Sequence, residues 1–298
     1  MTAQTSESNP LRAWQPQHDF FIGIDSDGCV FDSMEIKHKE CFCPNTIKHW
    51  NLQPVSKYAR EAAEFVNLYS KWRGANRWPA LITALDLLRG RPEVLARQAD
   101  VPQANKVREF IASGFPLSEK GLRQYMEQYP HPELDQAQAW SLGVNQSIAD
   151  IVHGVPPFPQ VRESLQKMAP VADMMVVSAT PIEALEREWQ EHGLAQYMGL
   201  IAGQEAGTKE QHLALAARGK YAPQRILMIG DALGDLKAAQ ANGALFYPIN
   251  PGYEIESWQR FLSEASDKFL NGTYAGAYEA GLIADFENLL PDTPTWQK

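Results

Sequence analysis

A short apolar segment that stops at a pair of acidic residues constrains the fold of this chain more than any other feature. Residues 20–24 read Phe-Phe-Ile-Gly-Ile, and Asp25-Ser26-Asp27-Gly28 follows directly. A continuous apolar run of this length is typical of a parallel strand buried on both faces. Gly28 permits a backbone turn that a Cβ would oppose, so both carboxylates can face one pocket. The sequence therefore predicts a buried strand that ends at a polar site.

The region after residue 156 alternates between predicted strands and helices. Strands are predicted at 174–177, 225–229 and 244–248, with a further short strand at 197–202. Helices are predicted between them at 182–192, 209–217 and 233–241. Alternation of this kind predicts an α/β fold with a doubly wound, mostly parallel sheet. The simplest topology adds the strand at 20–24 to the same sheet.

The middle of the chain has a different character, because β-branched alternation is scarce and long stretches have helical patterns. We therefore expect an all-helical domain at 34–155, inserted into an α/β core formed by residues 19–33 and 156–298. The polar residues 1–18 are predicted to be a flexible N-terminal arm. The predicted helices of the inserted domain span 33–42, 56–72, 78–88, 103–113, 118–128 and 133–152.

Charge and cysteine content exclude several classes of protein. The net charge of −9 argues against a nucleic-acid-binding protein, which usually carries a basic surface. The three cysteines, Cys29, Cys41 and Cys43, are too few for a disulfide framework and suit a reducing compartment. No apolar run approaches the roughly 18 residues of a membrane span. We expect a soluble cytoplasmic protein with neither nucleic acid nor membrane as partner, and its oligomeric state stays open.

Polar residues mark three further positions that the predicted topology brings to the same edge of the sheet as Asp25. In an open parallel sheet, ligands bind where the carboxyl ends of the strands meet. Two of these positions follow strands, and the third, Lys209, opens a helix with Thr208 as its cap. A cation in the first turn opposes the helix dipole, which favours a ligand-binding role for Lys209. The three positions are Ser178-Ala179-Thr180, Thr208-Lys209, and Gly230-Asp231 with Asp235.

Each position alone has an ordinary structural alternative. Asp25-Ser26-Asp27-Gly28 could be a surface turn, Lys209 a solvated lysine, and Asp231 and Asp235 helix-start carboxylates. Together they indicate a site that needs a cation, because two carboxylates about 4 Å apart repel by roughly 4 kcal/mol at an effective dielectric constant of 20. Hard oxygen ligands suit Mg²⁺, so we expect a site that is inactive without this metal.

In their order and spacing, these motifs resemble the haloacid dehalogenase (HAD) superfamily of hydrolases, and more narrowly its phosphoglycolate-phosphatase-like members with an inserted helical, C1-type cap. The resemblance covers roughly residues 19–33 and 156–250. It implies that Asp25 is the nucleophile and that Asp27 protonates the leaving oxygen and then activates water. It further implies phosphate binding by Ser178, Ala179 and Lys209. Mg²⁺ would be bound by Asp25, Asp231 and the backbone carbonyl of Asp27, with Asp235 either as a further ligand or directly behind the ligands.

The resemblance implies a Mg²⁺-dependent phosphatase that acts on a small phosphorylated metabolite through an aspartyl-phosphate. Asp27 disfavours carbon–halogen cleavage, since the dehalogenase branch lacks an acid there. Cys29 stands where Thr or Val is usual, and we expect it to be buried rather than reactive. Two alternatives remain: a phosphomutase with the same Asp25 intermediate, and a non-catalytic HAD-like binding protein.

Two further groups of residues, both within the predicted helical domain, are candidate binding sites. Arg73 and Arg77, in a predicted turn between two tryptophans, could recognise a carboxylate or a second phosphate of the substrate; the alternative is a turn with solvated arginines. His38, Cys41, Cys43 and His49 have a loosely metal-like spacing, but they contain only one imperfect pair of ligands, so packing between helices is favoured over zinc.

Overall fold

The computed structural model describes residues 9–297, which form two compact units. The first, here called the α/β unit, contains the described residues up to Asp32 together with Gly154–Leu289. The second, here called the helical unit, contains Ser33–His153 and residues 290–297. The chain thus passes three times from one unit to the other.

The α/β unit is built on one sheet of five parallel strands, in the order β3-β2-β1-β4-β5. The strands are β1 (Phe20–Ile24), β2 (Ala172–Val177), β3 (Leu200–Ala202), β4 (Ile226–Gly230) and β5 (Leu245–Pro248). The predicted topology is confirmed, since β1 lies between β2 and β4 although the helical residues separate it from both in sequence. Ile24 at the end of β1 pairs with Val176 of β2 and with Ile229 of β4, so these three strands end at one edge.

Helices connect the strands and cover the sheet, as expected for a doubly wound fold. Beyond Pro10–Ala13, the α-helices of this unit are Val161–Met168, Ile182–Glu191, Lys209–Ala216, Leu233–Ala241, Glu254–Arg260, Ser266–Leu270 and Ala277–Asn288. Every residue of β2 and β4 is buried, which explains why Asp173, near the start of β2, is the one polar side chain in these two strands. No helix was predicted at Val161–Met168, because its start carries no capping signal. The residue before it, Gln160, has a φ of 67°, and its side chain caps none of the helix N–H groups.

The helical unit is all-helical in its described residues, as predicted. Its α-helices are Ser33–Ile36, Cys43–His49, Ser56–Leu68, Arg77–Arg89, Pro92–Ala96, Asn105–Ala112, Glu119–Gln128 and Pro132–Ile151. A π-helical turn, Lys37–Phe42, joins the first two of these helices. Two clusters of buried apolar side chains form its interior, and Trp78 and Trp140 pack edge-on at 5.5 Å in the larger one.

Residues 290–297 belong to the helical unit and not to the α/β core in which the sequence analysis placed them. Their contacts are made with helical residues. Lys71 forms an ion pair with Asp292, and the Trp296 ring packs edge-on against Phe65 at 5.7 Å. The Arg91 guanidinium lies 4.5 Å from the Trp296 ring centre, which is a cation–π contact.

The N-terminal arm, which was predicted to be flexible at residues 1–18, is bonded to the α/β unit over its described residues, 9–18. Residues 1–8 lie outside the described part of the chain. Residues 10–13 form a short helix, and the indole N–H of Trp14 donates to the hydroxyl of Tyr221 at 2.9 Å. Asp173 holds the next stretch, since its Oδ2 accepts the backbone N–H groups of Gln17 and His18 at 2.9 and 3.0 Å and the Tyr221 hydroxyl at 2.7 Å. Burial alone would raise the pKa of Asp173, but these hydrogen bonds outweigh it and lower the pKa.

Within residues 9–297, every helix is too short or too polar to cross a membrane.

Asp173→Asn tests how much this attachment contributes to stability. Both carboxylate oxygens of Asp173 accept hydrogen bonds, and asparagine replaces one of them with an NH₂ group that cannot accept. At least one donor then faces another donor, so we expect the free energy of unfolding to fall by about 1–3 kcal/mol. Asp19→Asn is the matched control, because Asp19 is an exposed partner of Arg225 and such pairs contribute about 0–1 kcal/mol. Urea denaturation of the two variants measures the difference, and equal losses would contradict the assignment.

Candidate functional site

Asp25 stands at the carboxyl end of the central strand, and the turn that follows it is tightly bonded. The Asp25 N–H donates to the carbonyl of Ile229 at 2.9 Å, which continues the pairing of β1 with β4. The Ser26 carbonyl then accepts the N–H groups of residues 29, 30 and 31. Gly28 has a φ of 73°, in the left-handed region that favours glycine, so this turn needs glycine there.

Three carboxylates meet at this edge. Asp25, Asp231 and Asp235 each offer an oxygen that lies within 4.8 Å of the other two, and all three side chains are buried. Asp231 directly follows β4, and Asp235 lies in the first turn of the next helix, where its Oδ2 accepts the N–H of Ala232 at 3.1 Å. A Cβ on Gly230 would stand 2.4 Å from the Asp235 side chain, so the close approach of this carboxylate requires glycine there.

Lys209 connects two of these carboxylates. Its Nζ lies 2.6 Å from Oδ2 of Asp25 and 2.6 Å from Oδ1 of Asp235. The predicted capping box is confirmed: Thr208 and Gln211 cap each other's backbone at the start of the helix and fix where Lys209 leaves it. The two ion pairs explain why a lysine is stabilised in a first turn, against the helix dipole.

The electrostatics of this cluster are those of excess buried negative charge. Burial raises the pKa of Asp25 to about 6, against the lowering effect of Lys209, and Asp231 adds to the rise. The pKa of Asp235 is raised to about 6 for the same leading reason, burial. Burial alone would lower the pKa of Lys209, but Asp235 and Asp25 outweigh it and hold the pKa above its usual value. Even with Lys209 between them, Asp25 and Asp235 therefore ionise less readily than carboxyl groups in water.

The donor set fits a hard divalent cation. Mg²⁺ takes oxygen ligands, usually from one or two carboxylates with water and substrate oxygens, and the side chains of Asp25, Asp231 and Asp235 supply such oxygens in one place. The Asp27 carboxylate is not a member of this cluster, and the resemblance assigns to the metal the backbone carbonyl of Asp27 instead. No other group among residues 9–297 meets the same spacing of possible ligands.

A hydroxyl-bearing loop follows β2 at the same edge. Ser178 is buried, and its Oγ accepts the N–H of Thr180 at 3.2 Å, while Ala179 is exposed. Thr180 precedes Pro181, a pairing that is typical of a helix start, but the Thr180 side chain does not cap the helix that follows. Its hydroxyl instead donates to Oδ2 of Asp27 at 2.8 Å, and the free N–H of Ile182 is satisfied by the Glu205 carboxylate at 3.1 Å.

Sequence reasoning did not assign Thr180 to the catalytic group. The available signal was a second hydroxyl two residues after Ser178 at the end of a strand, on the edge that Asp27 occupies. A capping pattern explained that hydroxyl equally well from sequence, because a Thr before Pro is typical of a helix start. Only the distance to Asp27 separates the two interpretations.

The cysteines carry no site. Cys29 is fully buried, as predicted, and burial raises the pKa of its thiol, which leaves it protonated. Cys41 and Cys43 are buried in the helical unit, and burial raises the pKa of Cys43 to about 12. Neither belongs to a group with metal-ligand spacing among the described residues, in agreement with the preference for packing over zinc.

Arg73 and Arg77 both lie in the helical unit, and neither is a solvated arginine. Arg73 is buried and donates to the carbonyl of Leu68 at 3.1 Å. Arg77 opens the helix Arg77–Arg89, where it donates to Ser141 Oγ at 2.7 Å and to Asn145 Oδ1 at 2.9 Å. The alternative of a turn with solvated arginines is therefore wrong, because both side chains bond to protein groups. Substrate recognition by Arg73 and Arg77 stays a prediction.

Comparison with known proteins yields a family match and fold matches. Residues 103–247 match the sequence model described as "Haloacid dehalogenase-like hydrolase". A search of curated proteins finds no match. Among solved structures, β-phosphoglucomutase from Clostridium difficile is 14% identical, with a TM-score of 0.51, over 84% of this chain and 97% of that one.

Two further solved structures have lower structural scores. A predicted phosphoglycolate phosphatase from Haemophilus somnus is 13% identical, with a TM-score of 0.46, over 78% of this chain and 86% of that one. A haloacid dehalogenase-like family hydrolase from Streptococcus pneumoniae is 16% identical, with a TM-score of 0.43, over 80% and 90%. At 14% identity, the similarity to the Clostridium difficile structure supports the fold alone.

Lys209→Met tests the charge balance of the site. Removing the cation leaves the buried Asp25 and Asp235 carboxylates without the lysine that bridges them, and we expect a loss of about 3–5 kcal/mol in the free energy of unfolding without metal. Excess Mg²⁺ should restore part of it, so Mg²⁺ raises the Tm of the variant more than that of the wild type. Calorimetry with and without Mg²⁺ measures both effects.

Lys237→Met is the matched control, because Lys237 is exposed on the helix that carries Asp235. It should change stability by less than about 0.5 kcal/mol. An equal Mg²⁺ response in all three proteins would show that the metal does not bind at the carboxylate cluster.

Proposed function

We propose that the chain is a haloacid dehalogenase-like hydrolase, and more narrowly a Mg²⁺-dependent phosphatase that acts on a small phosphorylated metabolite through an aspartyl-phosphate. One observation carries the proposal: the Asp25 carboxylate, at the end of the central strand, lies in a buried cluster with Asp231 and Asp235 and is bound by Lys209. A carboxylate nucleophile, a cation and ligands for a metal are thereby assembled at one point.

Asp25 is held in a position suited to attack. Its Oδ1 accepts the N–H of Ser26 at 2.8 Å, and its Oδ2 accepts Lys209. In the first step an Asp25 oxygen forms a bond to phosphorus as the ester oxygen departs. In the second step a water oxygen attacks the same phosphorus and releases the Asp25 carboxylate and inorganic phosphate. Splitting the hydrolysis in this way replaces one difficult displacement with two easier ones.

Asp27 supplies and removes the protons. It gives a proton to the departing ester oxygen and then takes one from the attacking water, as general acid and base in turn. The hydrogen bond from Thr180 to Oδ2 fixes the plane of this carboxylate two residues from the nucleophile. Thr180 therefore acts on the chemistry by orienting Asp27.

The negative charge that gathers on the transferred group is met by cations and donors. Lys209 and Ser178, with the backbone at Ala179, hold the phosphate oxygens. Asp25, Asp231 and Asp235, with the Asp27 carbonyl, would hold Mg²⁺, which would supply positive charge where an anionic ester approaches the carboxylates. Net charge and cysteine content make a cytoplasmic enzyme without nucleic-acid or membrane partners part of the same proposal.

Asp25→Asn removes the nucleophile and tests the function directly. We expect the wild type to release phosphate from at least one member of a panel of phosphorylated metabolites, only when Mg²⁺ is present, and the variant to lose at least about 10³-fold in kcat. Asp19→Asn, an exposed change of the same kind, should keep full activity. Phosphate release is measured by a colorimetric assay.

The same panel separates the alternatives. Isomer formation without phosphate release, seen by phosphorus NMR, would replace the phosphatase with a phosphomutase. Turnover by the wild type that Asp25→Asn leaves unchanged would contradict the nucleophile assignment. Ligand binding without any turnover would point to a binding protein.

Arg77 and Arg73 are the residues proposed to recognise a second anionic group on the substrate. Arg77 is the stronger of the two, because its side-chain hydrogen-bond partners, Ser141 and Asn145, are neutral. Arg77→Ala should lower kcat/KM by roughly 10–100-fold for substrates with a second anionic group, and little for simple monoesters, since a charged hydrogen bond contributes about 1.5–3 kcal/mol. Unchanged kcat/KM in both Arg77→Ala and Arg73→Ala would contradict it.

A further inference from the structure

Ser26, the residue between the two proposed catalytic acids, is fully buried and uses its hydroxyl in two hydrogen bonds. Its Oγ accepts the indole N–H of Trp189 at 3.0 Å and donates to Oε2 of Glu188 at 3.3 Å. A buried hydroxyl is costly unless it is bonded, so these two partners select one orientation of the Ser26 side chain.

The backbone of Ser26 is engaged as fully as its side chain. Its N–H donates to Oδ1 of Asp25 at 2.8 Å, and its carbonyl accepts the N–H groups of Val30 and Phe31 at 2.9 and 3.1 Å. A rotation of Ser26 would move the two peptide groups that join it to Asp25 and Asp27. The side chain of Ser26 is therefore coupled mechanically to both acids.

Trp189 is fully buried and touches both ends of the turn that contains Ser26. Besides its bond to Ser26, its ring lies edge-on to Phe31 at 5.7 Å. Trp189 belongs to the helix Ile182–Glu191, and the loop that leads into this helix carries Thr180, the partner of Asp27. One helix and its leading loop thus hold the turn from two sides.

We propose that Trp189 is a positioning residue, which acts through Ser26 to fix the Asp25 and Asp27 carboxylates relative to each other. The inference rests on the proposed phosphatase function, because these two groups must act on the two sides of one phosphorus–oxygen bond. A misplacement of about 1 Å between reacting groups can cost on the order of 10²-fold in rate, so a hydrogen bond that sets their separation affects kcat.

Two single variants and their combination test the proposal. Trp189→Phe keeps an aromatic ring against Phe31 and removes the N–H, and Ser26→Ala removes its acceptor. With p-nitrophenyl phosphate and Mg²⁺, we expect each to lower kcat by roughly 10-fold or more while KM changes by less than about twofold. The double variant should be no slower than the slower single variant, because both changes break the same bond.

Trp140→Phe is the matched control for lost stability. The Trp140 indole N–H also donates to a buried hydroxyl, that of Thr46 at 3.0 Å, and it does so in the helical unit. We expect the control to lower Tm about as much as Trp189→Phe and to keep the wild-type kcat. The kcat values are measured well below every Tm, so that unfolding contributes nothing.

The outcomes separate this inference from the function on which it rests. If the wild type shows no Mg²⁺-dependent release above Asp25→Asn, both are wrong. If the wild type turns over and Trp189→Phe and Ser26→Ala both keep its kcat, Trp189 is a packing residue only and this inference alone is overturned. Independent, multiplicative losses in the double variant would overturn it too, since the two residues would then act separately.

Discussion

The ion pairs from one lysine to two aspartates are the interactions on which the site depends. Lys209 bridges Asp25 and Asp235 in a place where water is largely excluded, so the attraction is strong and the cost of leaving any charge unpaired is also strong. The third carboxylate, Asp231, stands in the same cluster, so three acidic side chains share one small buried region. An anionic phosphate would be repelled by these carboxylates unless a cation accompanied it. This repulsion is the electrostatic reason for the metal in the proposed mechanism.

The sheet makes that concentration of charge attainable. Asp25 and Asp231 are more than 200 residues apart in the chain, yet they extend neighbouring parallel strands whose ends are in register. Gly230 then lets Asp235 approach from the next helix, and the cap at Thr208 fixes the direction of Lys209. Rigid secondary structure therefore supplies the precision of the site, and the buried apolar strands β2 and β4 supply the low dielectric constant.

Much of this could be predicted from the sequence, because the relevant signals were local. Apolar runs that stop at polar residues located the strands, and the parallel topology then required Asp25, Asp231 and Lys209 to converge. The structure departs from the prediction where a side chain bonds to a residue distant in sequence although a local partner was available. The Thr180 hydroxyl could have capped the helix that follows it, but it donates to Asp27. The sequence around Ser26 is that of an ordinary turn, and nothing in it indicates the hydrogen bond from Trp189. Residues 290–297 were misassigned for a related reason, since no local pattern records that Trp296 packs with Arg91.

The position of residues 290–297 affects how the molecule can be divided. The helical unit is an insertion between Asp32 and Gly154 only in part, because a second piece of chain returns to it after Leu289. Arg91 lies between two aromatic faces, 4.5 Å from the ring of Tyr58 and 4.5 Å from that of Trp296, and excision of residues 33–153 alone would strip one face from this buried cation. Transplanting the helical unit onto another scaffold thus requires three chain breaks and two fragments. Recombination between relatives would face the same obstacle, so the coding segment for residues 33–153 should be inherited together with the one for residues 290–297.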